Sequence, residues 1–388
     1  MKLITKVLGA VVIATSSSHA MAQDFNFSGF GSFVGGFTSE EGTGLDAAYK
    51  GYESKDIDFG PDSLIGFQVS TQVNDKVTAT LQLVARGDEE WNVEADWAYF
   101  SYKANDDVQF RVGRLRVPFY LYSDFITVGY AYPWISPPAE AYSLPFDNIN
   151  GIDVIYNVPL ADADLQIQGY FGATDFEVSE STGGPIAGSE GESKNQFGVN
   201  FELSYYDLTF RYAYHQANAT LDTSGNEGLT TLTKLLDDMG FTDNADRLRY
   251  EEDTIQFHEL GIMYDDGRFV SSAEATLLSA NDEAAMAEQR RYYIMGGVRF
   301  MEQYLVHLTY GTNDDNEPDL SSGLPPSLKK LVSVVEDRLT QDSDEWTLGL
   351  RWDFADSTAF KVEVTNFQDN KNSNNDVILT RFGIQAIF

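Results

Sequence analysis

Cysteine is missing from all 388 residues, which excludes a disulfide framework and a thiolate metal site. Histidine is almost as scarce: His19, His215, His258 and His307 are the only four. Neither Gly-x-Ser-x-Gly nor His-Glu-x-x-His occurs, so the usual signatures of nucleophilic and zinc-dependent hydrolysis are lacking. No stretch beyond residue 22 offers the ~18 consecutive apolar residues that a membrane-spanning helix requires. Basic residues are few as well. Lys and Arg number 26 against 60 acids, for a formal net charge of −34, which argues against a nucleic-acid partner. The acids are not spread evenly: 30 of the 60 fall in 38–62, 173–193, 216–253 and 312–345. The segments between carry mixed charge at alternate positions, a pattern that disorder does not produce.

The first 22 residues read as an export signal. Lys2 and Lys6 supply a charged n-region, Val7–Ala14 an apolar core, and Ala20-Met21-Ala22 a small-residue cleavage site. The chain is therefore expected to divide into a signal peptide, 1–22, and one mature unit, 23–388. Period-two alternation, the mark of a strand, begins there. It covers 25–37, 65–73, 77–83, 93–102, 108–116, 151–158, 164–172 and 194–203. It continues through 208–215, 254–264, 268–279, 291–300, 304–311, 345–354, 358–367 and 376–388. That makes about sixteen strands. In 254–264 the apolar parity shifts around His258, which predicts a bulge or an irregular wall.

The connections alternate in length. Short turns fall at 74–75, 103–107, 159–163, 204–207, 265–267, 301–303 and 355–357. Long loops fall at 38–62, 87–92, 117–150, 173–193, 216–253, 280–290, 312–344 and 368–375. In Phe197–Leu203, Leu208–Tyr214 and Trp346–Phe354 one face is wholly apolar with aromatics at its ends, and the other carries Asn200, Glu202, Thr209, Arg211, Thr347, Arg351 and Asp353. These features together predict an all-β transmembrane antiparallel barrel, apolar toward lipid, polar toward a watery lumen, with turns at one end and loops at the other.

The C-terminus ends Arg381-Phe382-Gly383-Ile384-Gln385-Ala386-Ile387-Phe388, with Phe382, Ile384, Ala386 and Phe388 on one face. This resembles the C-terminal strand of Gram-negative outer-membrane barrels, in which the barrel-assembly machinery reads the terminal aromatic. Phe388, Phe382 and Ile384 are the expected assembly signal. The whole mature chain is similar to the Gram-negative porin family, in particular its sixteen-stranded trimeric members with an inward-folded third extracellular loop. The Pro-Glu-Phe-Gly-Gly loop tip of general porins does not occur here. The resemblance implies a homotrimer in the outer membrane, in contact with lipid and lipopolysaccharide. It implies a water-filled channel for passive diffusion of small hydrophilic solutes and ions, with no cofactor and no enzymatic step. Alternatives are a substrate-specific channel for phosphate, another anion or sugar, and a non-conducting structural or adhesin barrel.

The third long loop, 117–150, carries five prolines and a dense set of aromatics, and connections of this length within compact domains usually have a function. It is expected to fold inward and narrow the pore. Arg111 has the lumen parity of its strand. Arg114 and Arg116 have the lipid parity, so either Gly113 reverses them or they sit above the hydrocarbon. In the porins that this chain resembles, wall arginines face loop carboxylates across the eyelet. The corresponding expectation sets Arg86, Arg111, Arg114 and Arg116 against Asp124, Glu140 and Asp147. Tyr120, Tyr122, Tyr130, Tyr132, Trp134 and Tyr142 are read as packing the loop on the wall in preference to stacking sugars. Leucine spacing at 226–239 and 325–339 predicts two amphipathic helices covering the mouth or a subunit junction. The acidic loops are read as solvated in preference to binding divalent cations.

Overall fold

The computed structural model describes residues 25–39, 49–178, 186–281 and 286–388. The expected signal peptide lies outside the described residues, as do parts of the first, fourth and sixth long loops. The first eight strands are β1 (Phe25–Thr38), β2 (Leu64–Asn74), β3 (Val77–Arg86), β4 (Val93–Lys103), β5 (Val108–Arg116), β6 (Asn148–Pro159), β7 (Asp164–Glu177) and β8 (Glu190–Tyr205). They are followed by β9 (Leu208–Asp222), β10 (Asp253–Asp265), β11 (Phe269–Ala280), β12 (Glu288–Phe300), β13 (Tyr304–Asn316), β14 (Asp342–Ala355), β15 (Thr358–Asp369) and β16 (Val377–Ile387). Each pairs antiparallel with its neighbours, and β1 pairs with β16 to close the barrel. The seam is completed by reciprocal backbone bonds between Gly29 and Phe388. Closure leaves no unpaired edge, which a sheet in hydrocarbon requires.

The short turns are closed by side chains on their own backbone. Asn74 accepts from the amides of Lys76 and Val77, Asn105 from Asp107 and Val108, and Asp266 from Arg268 and Phe269. At the other end the strands run past the limits of their alternation. β9 reaches Asp222, β13 reaches Asn316, and β6 starts at Asn148, so the third long loop is 117–147. Beyond the bilayer both faces are polar, so the period disappears while the backbone ladder continues.

The faces are inverted relative to a soluble protein. Phe67, Phe100, Phe110, Ile152, Leu260, Ile294, Leu348 and Ile384 are exposed, whereas Arg211, Glu259, Glu274, Lys361, Glu363 and Arg381 are buried. The irregularity expected around His258 is absent. β10 keeps continuous register with β9 and β11. Phe257 faces inward against the Phe119 ring, and His258 faces outward beside Tyr212 and Tyr214. The side chains change character because the inserted loop makes the inner face apolar at that point.

Helices α1 (Glu227–Asp238), α2 (Thr242–Arg247) and α3 (Pro326–Arg338) cover the mouth. Asn226 caps α1 by accepting from the Leu229 amide, and Pro326 opens α3 in its first turn. Leu229, Leu236, Leu248, Leu328 and Val332 form one buried cluster, so the loops after β9 and β13 are a single packed cap. Leu236 is 0% exposed. Leu236→Ala is expected to remove about 2–5 kcal/mol from the cap. Limited proteolysis within 223–252 and 317–341 should accelerate, while the heat-dependent SDS-gel shift of the barrel stays unchanged.

Candidate functional site: the inserted loop and the lumen wall

Residues 117–147 contain no long run of regular structure; Ser123–Phe125 and Gly129–Ala131 form single helical turns. Such a segment cannot satisfy its own backbone, and within a barrel its amides and carbonyls need partners on the wall. Cations of the later strands supply them. Lys361 donates to the carbonyls of Gly129 (2.7 Å), Tyr132 (2.7 Å) and Trp134. Arg351 donates to those of Tyr130 (2.8 Å) and Tyr132 (3.0 Å), and Arg211 to those of Pro118 and Phe119. Gln385 donates to the Ile135 carbonyl at 2.8 Å. Acids take the amides: Glu363 accepts from Ile135 (2.8 Å) and Glu274 from Leu121 (3.0 Å). The loop is thus bound to the inner faces of β9 through β16.

Apolar packing follows the same path. Leu121, Tyr122, Tyr132 and Trp134 bury against Val270, Tyr293, Met295 and Leu305. Phe119 and Tyr120 bury against Tyr170, Phe257 and Leu278. The Trp134 indole donates to Thr309 (2.8 Å) and the Tyr142 hydroxyl to Glu274 (2.6 Å). The loop aromatics pack the loop, as read from the sequence. Gly129 is placed for close approach: a Cβ there would lie 2.1 Å from the Gln385 amide.

Across the lumen the loop approaches β1 at Gly129–Ala131 but leaves a space beside β1–β4. An open space of about 500 Å³ lies between Asp124 and Val128 on the loop and Ser28, Gln68, Gln82 and Trp97 on β1–β4. Asp124 is exposed, with no ion pair found among the described residues. Arg111 points into the lumen but is held by Asp153, its cross-strand neighbour, with Nε 2.9 Å from both carboxylate oxygens. Arg86 grips Asp96 at 2.8 Å. Arg116 joins the same Asp96 (2.7 Å) to Asp147, so four residues form one alternating chain.

Arg114 and Arg116 meet neither expectation fully. The β4–β5 ladder extends no further than the Ala98–Arg114 pair. Arg114 there bonds the Ala95 carbonyl at 2.6 Å, and Arg116 is buried on its two acids. Gly113, at φ +139, allows the close approach: a Cβ would lie 2.2 Å from the Ala98 carbonyl oxygen. Glu140 is a correction. It is not beside any of the four arginines; it is buried on the opposite wall, accepting from Asn313 (2.5 Å) and Ser343 (2.8 Å). The loop crosses the whole lumen before Glu140, so membership of the same loop does not bring it to the eyelet. Two residues passed over were legible by parity. Asp153 lies between the lipid-facing Ile152 and Val154, and Lys361 between Phe360 and Val362.

The sequence matches the family model of the Gram-negative porins over residues 9–385. This chain belongs to that family. The porin is accordingly a water-filled outer-membrane channel for passive diffusion. Solved structures agree in fold. The outer-membrane channel DcaP of Acinetobacter baumannii is 12% identical with a TM-score of 0.60, covering 94% of this chain and 97% of that one. OmpF of Salmonella typhi, in complex with daunomycin, is 12% identical with a TM-score of 0.56, covering 94% and 98%. OmpT of Vibrio cholerae in its trimer form is 11% identical with a TM-score of 0.54, covering 95% and 100%. Comparison with curated proteins gives no match.

Two outcomes follow from the docked loop. Lys361→Met leaves three buried carbonyls without their cation, at about 1–3 kcal/mol each, so the loop should loosen. Single-channel recording should show a larger mean conductance and stronger open-channel flicker than wild type. The second concerns Glu140, whose carboxyl is pushed up to about 7, first by burial and then by the neighbouring Glu345 charge. A raised pKa means that the docked loop holds this proton more tightly than a detached one. The contribution is therefore present at low pH and lost as pH rises through about 7. Flicker should rise between about pH 4.5 and 7, the interval from the ordinary carboxyl value to the raised one, and Glu140→Gln should abolish the trend.

Proposed function

We propose that the constriction lies where Asp124 and Val128 face β1–β4, and that the pore passes small hydrophilic solutes and ions with a preference for cations. The observation that carries this reading is the pairing of the wall cations. Arg111, Arg86, Arg116, Arg211 and Arg381 each meet a carboxylate, and Lys361 is spent on loop carbonyls. Asp124 keeps an exposed charge beside the open space. Of the residues read from the sequence, Asp124 and Arg111 then face the path, Arg86, Arg116 and Asp147 form its rim with Asp96, Arg114 braces the strand, and Glu140 anchors the loop.

Arginines so occupied give no support to a phosphate-binding ladder, since oxyanion capture needs free guanidinium donors. The reading includes no chemical step. The functional unit is taken as a homotrimer, in line with the trimer form of the Vibrio cholerae relative. Export through the 1–22 signal, recognition of Phe388, Ile384 and Phe382 by the assembly machinery, and contact with lipopolysaccharide complete the proposal. Phe388 and Ile384 are exposed on the outer face, where such recognition needs them.

The test is the reversal potential of single channels under a KCl gradient. Wild type should prefer K⁺. A unit charge ~4 Å from an ion in water is worth about 1 kcal/mol, so Asp124→Asn should lower the K⁺:Cl⁻ permeability ratio by up to roughly fivefold. An anion-preferring wild type, or a variant with unchanged selectivity, would remove Asp124 from the constriction.

A further inference from the structure

A second chamber lies in the external half of the lumen, on the side away from the open path, with a volume of about 280 Å³. Phe119 and Phe146 of the inserted loop form its floor, Phe257 and Leu278 part of its wall, and Tyr250 and Leu339 its roof beneath the helical cap. The rings meet edge to face: Phe119 lies 5.7 Å from Phe146 and 5.6 Å from Phe257, centroid to centroid. An apolar room of this kind is foreign to a diffusion pore, whose lumen holds water and polar solutes.

We propose that this chamber binds an uncharged aromatic molecule of about two fused rings. Size sets the first limit. An engineered apolar cavity of ~150 Å³ accepts benzene, and this one is larger by roughly a second ring. Charge sets the second. The ionisable side chains around it that carry charge are two arginines, Arg291 and Arg338, and two aspartates, Asp253 and Asp315, which cancel. Arg291 already lies 3.7 Å from Asp315 and donates to Ser143. A ligand that brought its own net charge would lose its hydration without a surplus counter-charge.

Polar complementarity sets the third limit. Arg291 and Asp315 both line the chamber, and each keeps one buried polar atom, Arg291 Nε and Asp315 Oδ1, without a hydrogen-bond partner. Arg291 as a residue is only 6% exposed. Both atoms are sealed off even from water, so this ion pair offers a ligand no hydrogen bond of its own. A sugar, with a hydroxyl on nearly every carbon, would leave most of them unpaired against phenyl rings.

The test is isothermal titration of the full-length folded porin in lipid nanodiscs, with empty nanodiscs measured to subtract partitioning into lipid. The probes are 2-naphthol, uncharged at neutral pH, and 2-naphthoate, the same rings with a carboxylate. Saturable binding of one 2-naphthol per chain is expected, about tenfold or more tighter than 2-naphthoate. Ala217→Phe, which fills the chamber from β9, should weaken 2-naphthol by about tenfold or more, while KCl conductance and the heat-dependent gel shift match wild type. If that variant does not fold, Ala219→Phe fills the same space two residues further along β9 and is read in the same way. No saturable heat above empty nanodiscs, undiminished binding in a filled variant that folds, or equal affinity for 2-naphthoate would each overturn the proposal.

Discussion

A segment without regular structure can stay inside a barrel only if the wall pairs its backbone. Everything particular to this porin depends on how that demand is met. Lys361, Arg351, Arg211 and Gln385 give protons to loop carbonyls, and Glu363 and Glu274 take them from loop amides. These are lumen residues, and a lumen is usually pictured as wet. Here the side along the later strands is packed. The inner faces of β9–β16 and the loop share aromatic and aliphatic clusters, so the barrel acquires a core in the place where a wider pore would hold water.

Docking fixes the position of the open path. Because the loop is held against the later strands, the free volume is displaced toward β1–β4, where Ser28, Gln68 and Gln82 line it. Docking also changes what the charges do. A row of arginines on lumen parity suggests a positive wall, yet nearly every one is matched by an acid on a neighbouring strand or on a loop. The charged side chain lining that space is the Asp124 carboxylate, which has no ion pair among the described residues. Local pairing, and not composition, decides the field that an ion meets.

The barrel itself was legible because alternation and turn chemistry are local. All sixteen strands, the short-turn ends and the two leucine-spaced helices follow from spacing that any stretch of a dozen residues displays. The site was only half legible. Parity placed Arg111 in the lumen, and would have placed Asp153 and Lys361 there as well. It could not place Glu140, because the course of an irregular loop depends on partners two hundred residues away, such as Ser343. The parity change at His258 had the same origin. Its cause was the Phe119 ring of the loop, invisible from within the strand.

The longest of these contacts joins Ile135 to Gln385, 250 positions apart and in the last strand. That strand also forms the seam with β1. β16 therefore does two things at once: it shuts the cylinder and receives the tip of a loop from the first half of the barrel. Until β16 is in place the cylinder is open and the Ile135 carbonyl lacks the Gln385 amide. Closing the wall and seating the plug therefore draw on the same strand, and a change that disturbs one reaches the other.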